Sequence, residues 1–249
     1  MALEIVDYMI YFPGLRLLTS VSLISVIITI IVSGGICHAV NLLDGLNGLS
    51  ICWAICAAIA MAVMALSVND MAVFRLLILL IGASIGILVW NFPLGKIFLG
   101  DAGAYTLGHV LAWMALLLMN RHPEISPLAL LLIFVWPITD MLLSMLRRKK
   151  SGRPIGQPDR LHFHQMVMRV LEIKFFTRAR RNLTNPLGTL IILPMATVPM
   201  VVAIEFKTQT GPAFIAFCGF VALFVVTYSW ALRRAGQCVH RKSPKLNQP

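Results

Sequence analysis

Apolar stretches of about 20 residues recur along the chain, broken by short polar runs, which is the pattern of membrane-spanning segments. They fall near 17–37, 49–68, 74–92, 103–119, 126–146, 187–206 and 212–232. Lipid offers the backbone no hydrogen-bond partners, so each segment reads as a helix. The pattern therefore predicts an all-α, polytopic integral membrane protein with about seven transmembrane helices. Pro137, Pro194 and Pro199 lie inside these segments and predict kinks rather than breaks. Residues 1–232 read as one transmembrane domain interrupted by a single sizeable polar loop, 147–186. Residues 233–249 read as a polar tail, expected to be disordered.

Composition agrees: 59% of the 249 residues are hydrophobic and 12% charged, with a mean hydropathy of +0.85. A water-soluble domain is nearer a quarter charged. Charge then gives orientation. Eleven of the 21 Lys and Arg lie in 147–186, five follow residue 232, and Lys96 sits in the turn 93–102. With seven spans these 17 share one face, leaving Arg16, Arg75, Arg121 and Lys207 on the other. The positive-inside rule places the basic face in the cytoplasm and the N-terminus outside. The net charge of +11 thus reads as a topology signal that also attracts anionic headgroups or phosphates, and it implies no nucleic-acid partner. The five cysteines form no disulfide framework or zinc pattern. The N-terminus, with Glu4, Asp7 and Pro13, lacks the plan of a signal peptide.

Four polar clusters interrupt the apolar pattern. They are His38 to Leu49, the run from Asn91 to Gly108 around Asp101, Pro137 to Asp140, and Gly152 to His164. The first, second and fourth fall on the cytoplasmic face, and the third lies within about 10 Å of it by helical rise. Their convergence points to a composite site at the inner membrane surface. Asn41, Asp44 and Asn47 recur every third residue, and Gly45 and Gly48 allow close approach. The plainer alternative is a polar turn with Asn47 capping the next helix, and Asp101 has the same alternative at its own helix start. Asp101 among cytoplasmic carboxylates favours Mg²⁺, which takes one or two carboxylates plus substrate phosphates. Phe98 is either packing or a base-stacking surface. Asp140 either pairs with Arg147 or Arg148 or supports the site from behind. Arg153, Asp159, Arg160, His162 and His164 suit a pyrophosphate, with Arg as a bidentate fork and His as a hydrogen-bond or proton partner.

Three runs carry a resemblance: Asn41-Leu-Leu-Asp-Gly-Leu-Asn-Gly-Leu49, Phe98-Leu-Gly-Asp-Ala-Gly103 and Pro158-Asp-Arg-Leu-His-Phe-His164. Together they resemble the polyprenyl-phosphate N-acetylhexosamine-1-phosphate transferases, the glycosyltransferase family 4 type. The form of the third run is nearer the O-antigen and teichoic-acid branch than the peptidoglycan branch. The resemblance implies a Mg²⁺-dependent transferase, with Mn²⁺ as a substitute ion. It would move N-acetylhexosamine-1-phosphate from a UDP-sugar to polyprenyl (undecaprenyl) phosphate. The expected setting is the cytoplasmic leaflet of a bacterial inner membrane, at the first membrane step of cell-envelope polysaccharide synthesis. It implies Asp101 as metal ligand, Asp44 at the metal or nucleotide, and Gly45, Leu46, Asn47, Asn91 and Phe98 at uridine, beside Asn41. It places Arg160, His162 and His164 at the phosphate and sugar end, with Arg153 and Asp159 nearby. The catalytic set expected is Asp44, Asp101, His162 and His164. A homodimer is allowed.

The chain departs from the family pattern in three places. Asn47 stands where Asp is usual, Ala104 where Ser is usual, and no Asp-Asp pair occurs. The family has about four further helices at its front, and an even number preserves orientation. The expectation is a truncated or mis-started form, or a chain that needs a second piece. The rival readings are a non-catalytic homologue that binds nucleotide-sugar or lipid phosphate, and a membrane transporter.

Overall fold

A computed structural model describes residues 22–150, 152, 161–176 and 180–241, with side chains for all of these except 22–25, 174 and 233–241. Among the described residues the helices are α1 (Ser22–Leu43), α2 (Leu49–Ser67), α3 (Met71–Asn91) and α4 (Gly100–Arg121). They continue with α5 (Pro127–Ile133), α6 (Val135–Lys150), α7 (Phe163–Lys174), α8 (Arg181–Glu205) and α9 (Thr210–Arg241). Six are long and apolar enough to cross a membrane, and α5 with α6 form a pair, bent by 72°, that makes a seventh if it counts as one broken span. The chain is a multi-pass membrane protein.

α2 is the central helix. Its window is 67% buried, against 17% for α3 and for α9. The sequence explains the difference. Ala54, Ala57, Ala58, Ala60 and Ala65 are small enough to let neighbouring helices close in. α3 and α9 instead turn Leu79, Val89, Ile215 and Val226 outward, as a lipid-facing surface requires. Close packing also sets the geometry at the basic end. A Cβ on Gly108 of α4 would lie 2.8 Å from the Cys37 backbone of α1, so glycine is what lets these helices touch. One turn further along α1 and about two turns back along α4, Asn41 meets Asp101.

Three features differ from the sequence expectation. The fifth span breaks instead of kinking. Pro137 has no N–H for the carbonyl of Ile133, and α5 ends at that residue. Phe134 fills the break, buried against Trp53 of α2. The three prolines of α8 do interrupt hydrogen bonding without ending the helix. Secondly, the loop 147–186 contains α7. Its Phe163, Met166, Val167, Val170 and Leu171 follow helical spacing, and Phe163 and Met166 are buried. α9 stays helical to Arg241, into the segment read as a tail.

Candidate active site at the basic end of the bundle

The turn between α1 and α2 is built from within. Gly48 adopts φ +77°, a left-handed conformation suited to glycine, and its N–H is accepted by Asn91 Oδ1. Asn91 is buried and donates its amide to Ile97 O at 2.7 Å, so one side chain ties this turn to the turn after α3. Asn47 is anchored three ways. Its N–H is accepted by Asn185 at 2.7 Å, its carbonyl accepts Thr189 Oγ1 at 2.8 Å, and its own amide donates to Pro93 O at 2.9 Å. Asn47 is therefore no helix cap, and α2 starts from Gly48 without a side-chain cap. Leu46 is buried, with its side chain lying over Gly188. Leu46, Asn47 and Asn91, expected at a nucleotide, all have packing or hydrogen-bond partners that hold the turn.

This frame presents two carboxylates. Asp44 Oδ1 accepts the Ser50 hydroxyl at 2.6 Å. Burial raises its pKa above the usual aspartate range, and the neighbouring Asp101 charge adds to that. The Ser50 hydroxyl and the Gly100 N–H act the other way without cancelling it. Asp101 is exposed in the first turn of α4, where the helix dipole favours negative charge, and its Oδ1 accepts the Asn41 amide at 3.0 Å. It makes no cap bond, because Leu99 is the N-cap. Phe98 stands beside it, 72% exposed.

The histidines arrive on α7. Asp140 of α6 is 2% exposed, and its Oδ2 lies 2.9 Å from His162 Nδ1 while its Oδ1 accepts the Phe163 N–H at 3.1 Å. Of the two alternatives for Asp140, it is thus the support of a site histidine that is seen. His164 stacks parallel to His162, with ring centroids 5.8 Å apart. It is 3% exposed, and neither ring nitrogen has a hydrogen-bond partner among the described residues. Burial pushes its pKa down to about 4, with the Asp140 charge opposing and His162 assisting, so the ring is neutral at physiological pH. The imidazole rests on Gly45, where a Cβ would fall 2.0 Å from Nε2. Asn41, Asp44, Gly45, Asp101, His162 and His164 are thereby brought to one end of the bundle. Arg153, Asp159 and Arg160 lie outside the described residues. Ser50, Asn185 and Thr189 were missed from the sequence. The last two had a signal, a polar pair four residues apart in the opening turns of an apolar helix.

Residues 2–119 match the family model described as glycosyl transferase family 4. Over those residues, a little under half of its length, the chain is similar to that family. It is 29% identical over 177 residues to the "Probable undecaprenyl-phosphate N-acetylglucosaminyl 1-phosphate transferase" of Bacillus subtilis, covering 71% of this chain and 46% of the relative. It is 32% identical to the undecaprenyl-phosphate alpha-N-acetylglucosaminyl 1-phosphate transferase of Pasteurella multocida, over 56% of this chain and 36% of the relative. It is 36% identical to the phospho-N-acetylmuramoyl-pentapeptide-transferase of Lactiplantibacillus plantarum, over 52% and 40%. The match thus spans less than half the length of each of these curated relatives.

The donor chemistry fits a hard divalent cation. Asp44 and Asp101 are oxygen donors close enough to feel each other's charge, on adjoining helix ends. Among the described residues no group of three or more His, Cys, Asp or Glu side chains converges. Mg²⁺ completes its shell with phosphate oxygens and water.

Proposed function

We propose that the chain acts in the transfer of N-acetylhexosamine-1-phosphate from a UDP-sugar to polyprenyl phosphate at the cytoplasmic face of a bacterial inner membrane. The observation that carries this reading is the meeting of Asp44 and Asp101 with His162 and His164 at the basic end of a chain whose residues 2–119 match the family 4 model. In the reaction, an oxygen of the lipid phosphate bonds to the sugar-side phosphorus. The bond from that phosphorus to the bridging oxygen breaks, and UMP leaves with the electron pair.

Bound Mg²⁺, held by Asp101 and Asp44, would offset the charge that gathers on the pyrophosphate during transfer. The chain's residues supply the rest. Asn41 orients Asp101 through an amide hydrogen bond, and Ser50 fixes Asp44. Phe98 offers an exposed ring to a base. The fixed turn around Asn47 and Asn91 sets the distance between these groups. The basic residues at this end attract phosphates on both substrates.

The test is Mg²⁺-dependent UMP release from UDP-N-acetylglucosamine with polyprenyl phosphate, in detergent, beside Asp101→Asn. The expected result is release that falls by about 100-fold or more in the variant, the scale for losing one electrostatic stabiliser of a transition state. Release that persists at the wild-type rate in Asp101→Asn would overturn the assignment of that carboxylate. No release from a folded wild-type chain would overturn the activity.

A further inference from the structure

Asp140 is a buried carboxylate with both oxygens committed, one to the His162 ring and one to the Phe163 N–H. An ionised carboxylate only accepts hydrogen bonds, so the ring nitrogen facing it must carry a proton. The surrounding packing does not depend on that bond. Trp136 meets Phe163 edge-on at 5.0 Å, and Phe224 lies 5.4 Å from Phe163. The Leu161 carbonyl accepts both the Tyr228 hydroxyl at 3.0 Å and Arg147 at 3.2 Å. The Leu161 carbonyl before His162 and the Phe163 ring after it are thus held by contacts that Asp140 does not make, while the Phe163 N–H is held by Asp140 itself.

We propose that Asp140 is a positioning residue that fixes His162 as the Nδ1–H tautomer, leaving Nε2 as an unprotonated acceptor at the phosphate end of the site. A histidine's free nitrogen takes its role from the bond made by the other one. Without Asp140 the ring would be free to place its proton on Nε2, converting an acceptor into a donor. The parallel stack on His164 then has a second consequence. It keeps the His162 ring in one plane, so that tautomer and orientation are set together. The catalytic consequence rests on the proposed function, whereas the tautomer does not.

The experiment is nitrogen-15 NMR of the histidine rings in the full chain in detergent, with the His162 signals assigned by their loss in His162→Gln. The expected wild-type spectrum shows a protonated Nδ1 and an unprotonated Nε2. In Asp140→Asn the new amide accepts from the Phe163 N–H through its oxygen and donates to Nδ1 through its nitrogen. The proton should therefore move to Nε2. UMP release in that variant should fall about 10- to 100-fold in kcat, the usual cost of losing an orienting partner, with KM little changed. A role confined to packing would move neither the tautomer nor kcat alone. His162 protonated on Nε2 in the wild type, or unchanged in a folded Asp140→Asn, overturns the proposal. Should Asp140→Asn not fold, the wild-type spectrum decides by itself. A wild type that releases no UMP yet shows the Nδ1–H form defeats the activity and leaves the tautomer assignment standing.

Discussion

Two polar clusters cap opposite ends of the same bundle, and each joins a carboxylate to histidine. At the end away from the site, Asp70 caps α3 by accepting the Val73 N–H at 3.1 Å. Arg121 donates to both of its oxygens at 3.1 Å, and His122 Nε2 lies 3.1 Å from Oδ2. His122 in turn reaches Glu124 at 3.4 Å. Burial alone would raise the Asp70 pKa, but Val73, His122 and Arg121 outweigh it and hold the carboxyl below its usual range. At the basic end, Asp44 is shifted the other way, Asp101 is exposed, and His164 is buried with no hydrogen-bond partner among the described residues. One cluster is complete in itself. The other carries charge and hydrogen-bonding capacity that nothing among the described residues uses, as the proposed ligand-binding role requires.

The sharpest way to break that contrast is to fill the space the site keeps. Gly45→Ala places a methyl group 2.0 Å from His164 Nε2, and the ring is confined by its stack on His162. Overpacking of this kind costs about 1–3 kcal/mol. The expected outcome is a lower melting temperature in detergent, restored when His164→Ala is added. A melting temperature equal to wild type for Gly45→Ala would mean that His164 does not sit over the glycine.

Removing the opposite cluster should act on stability alone. Asp70→Ala deletes a helix cap and the anchor of a half-exposed arginine, together worth about 1–2 kcal/mol. Binding of UDP-sugar by the fraction that remains folded should be unchanged. Weakened binding would show that the two ends are coupled through α2 or α4, and the contrast between them would then need revision.

The spans were legible because hydropathy in lipid is decisive. The expected 49–68 is observed as Leu49–Ser67 and the expected 212–232 as Thr210–Leu232. That Asp44 and Asp101 lie near one another was legible because carboxylates beside apolar spans are costly without a partner, and the two histidines stood out only through the basic residues around them in a polar loop. Asp140 was half legible: its depth was clear, but its partner follows from the break at Phe134, which redirects α6. A proline only lowers the cost of such a break, and the packing of Phe134 on Trp53 is what occupies it. The division of labour within Asn41, Asp44 and Asn47 was not legible either. Regular spacing suggested one shared face, whereas α1 ends at Leu43 and the turn that follows sends Asn47 toward Pro93 and Asn185.

The smallest predicted effect also tests the comparison most directly, because the two carboxylates should respond to pH with opposite signs. Asp70 has a lowered pKa in the folded chain, so its contribution is fully present above the unfolded value. It is lost as pH falls through the folded one. Asp44 has a raised pKa, so its contribution is fully present below the unfolded value and is lost as pH rises through the folded one. In chelator, at neutral pH, Asp44→Asn should therefore be at least as stable as the wild type, and Asp70→Asn less stable. Ser50→Ala removes a hydrogen bond that favours the charged form of Asp44. It should cost about 1 kcal/mol at neutral pH and progressively less once Asp44 is protonated. Thermal unfolding across pH measures all three. A Ser50→Ala loss that stays the same at every pH would mean the hydroxyl serves packing, and that Asp44 is not the group whose charge the basic end leaves uncompensated.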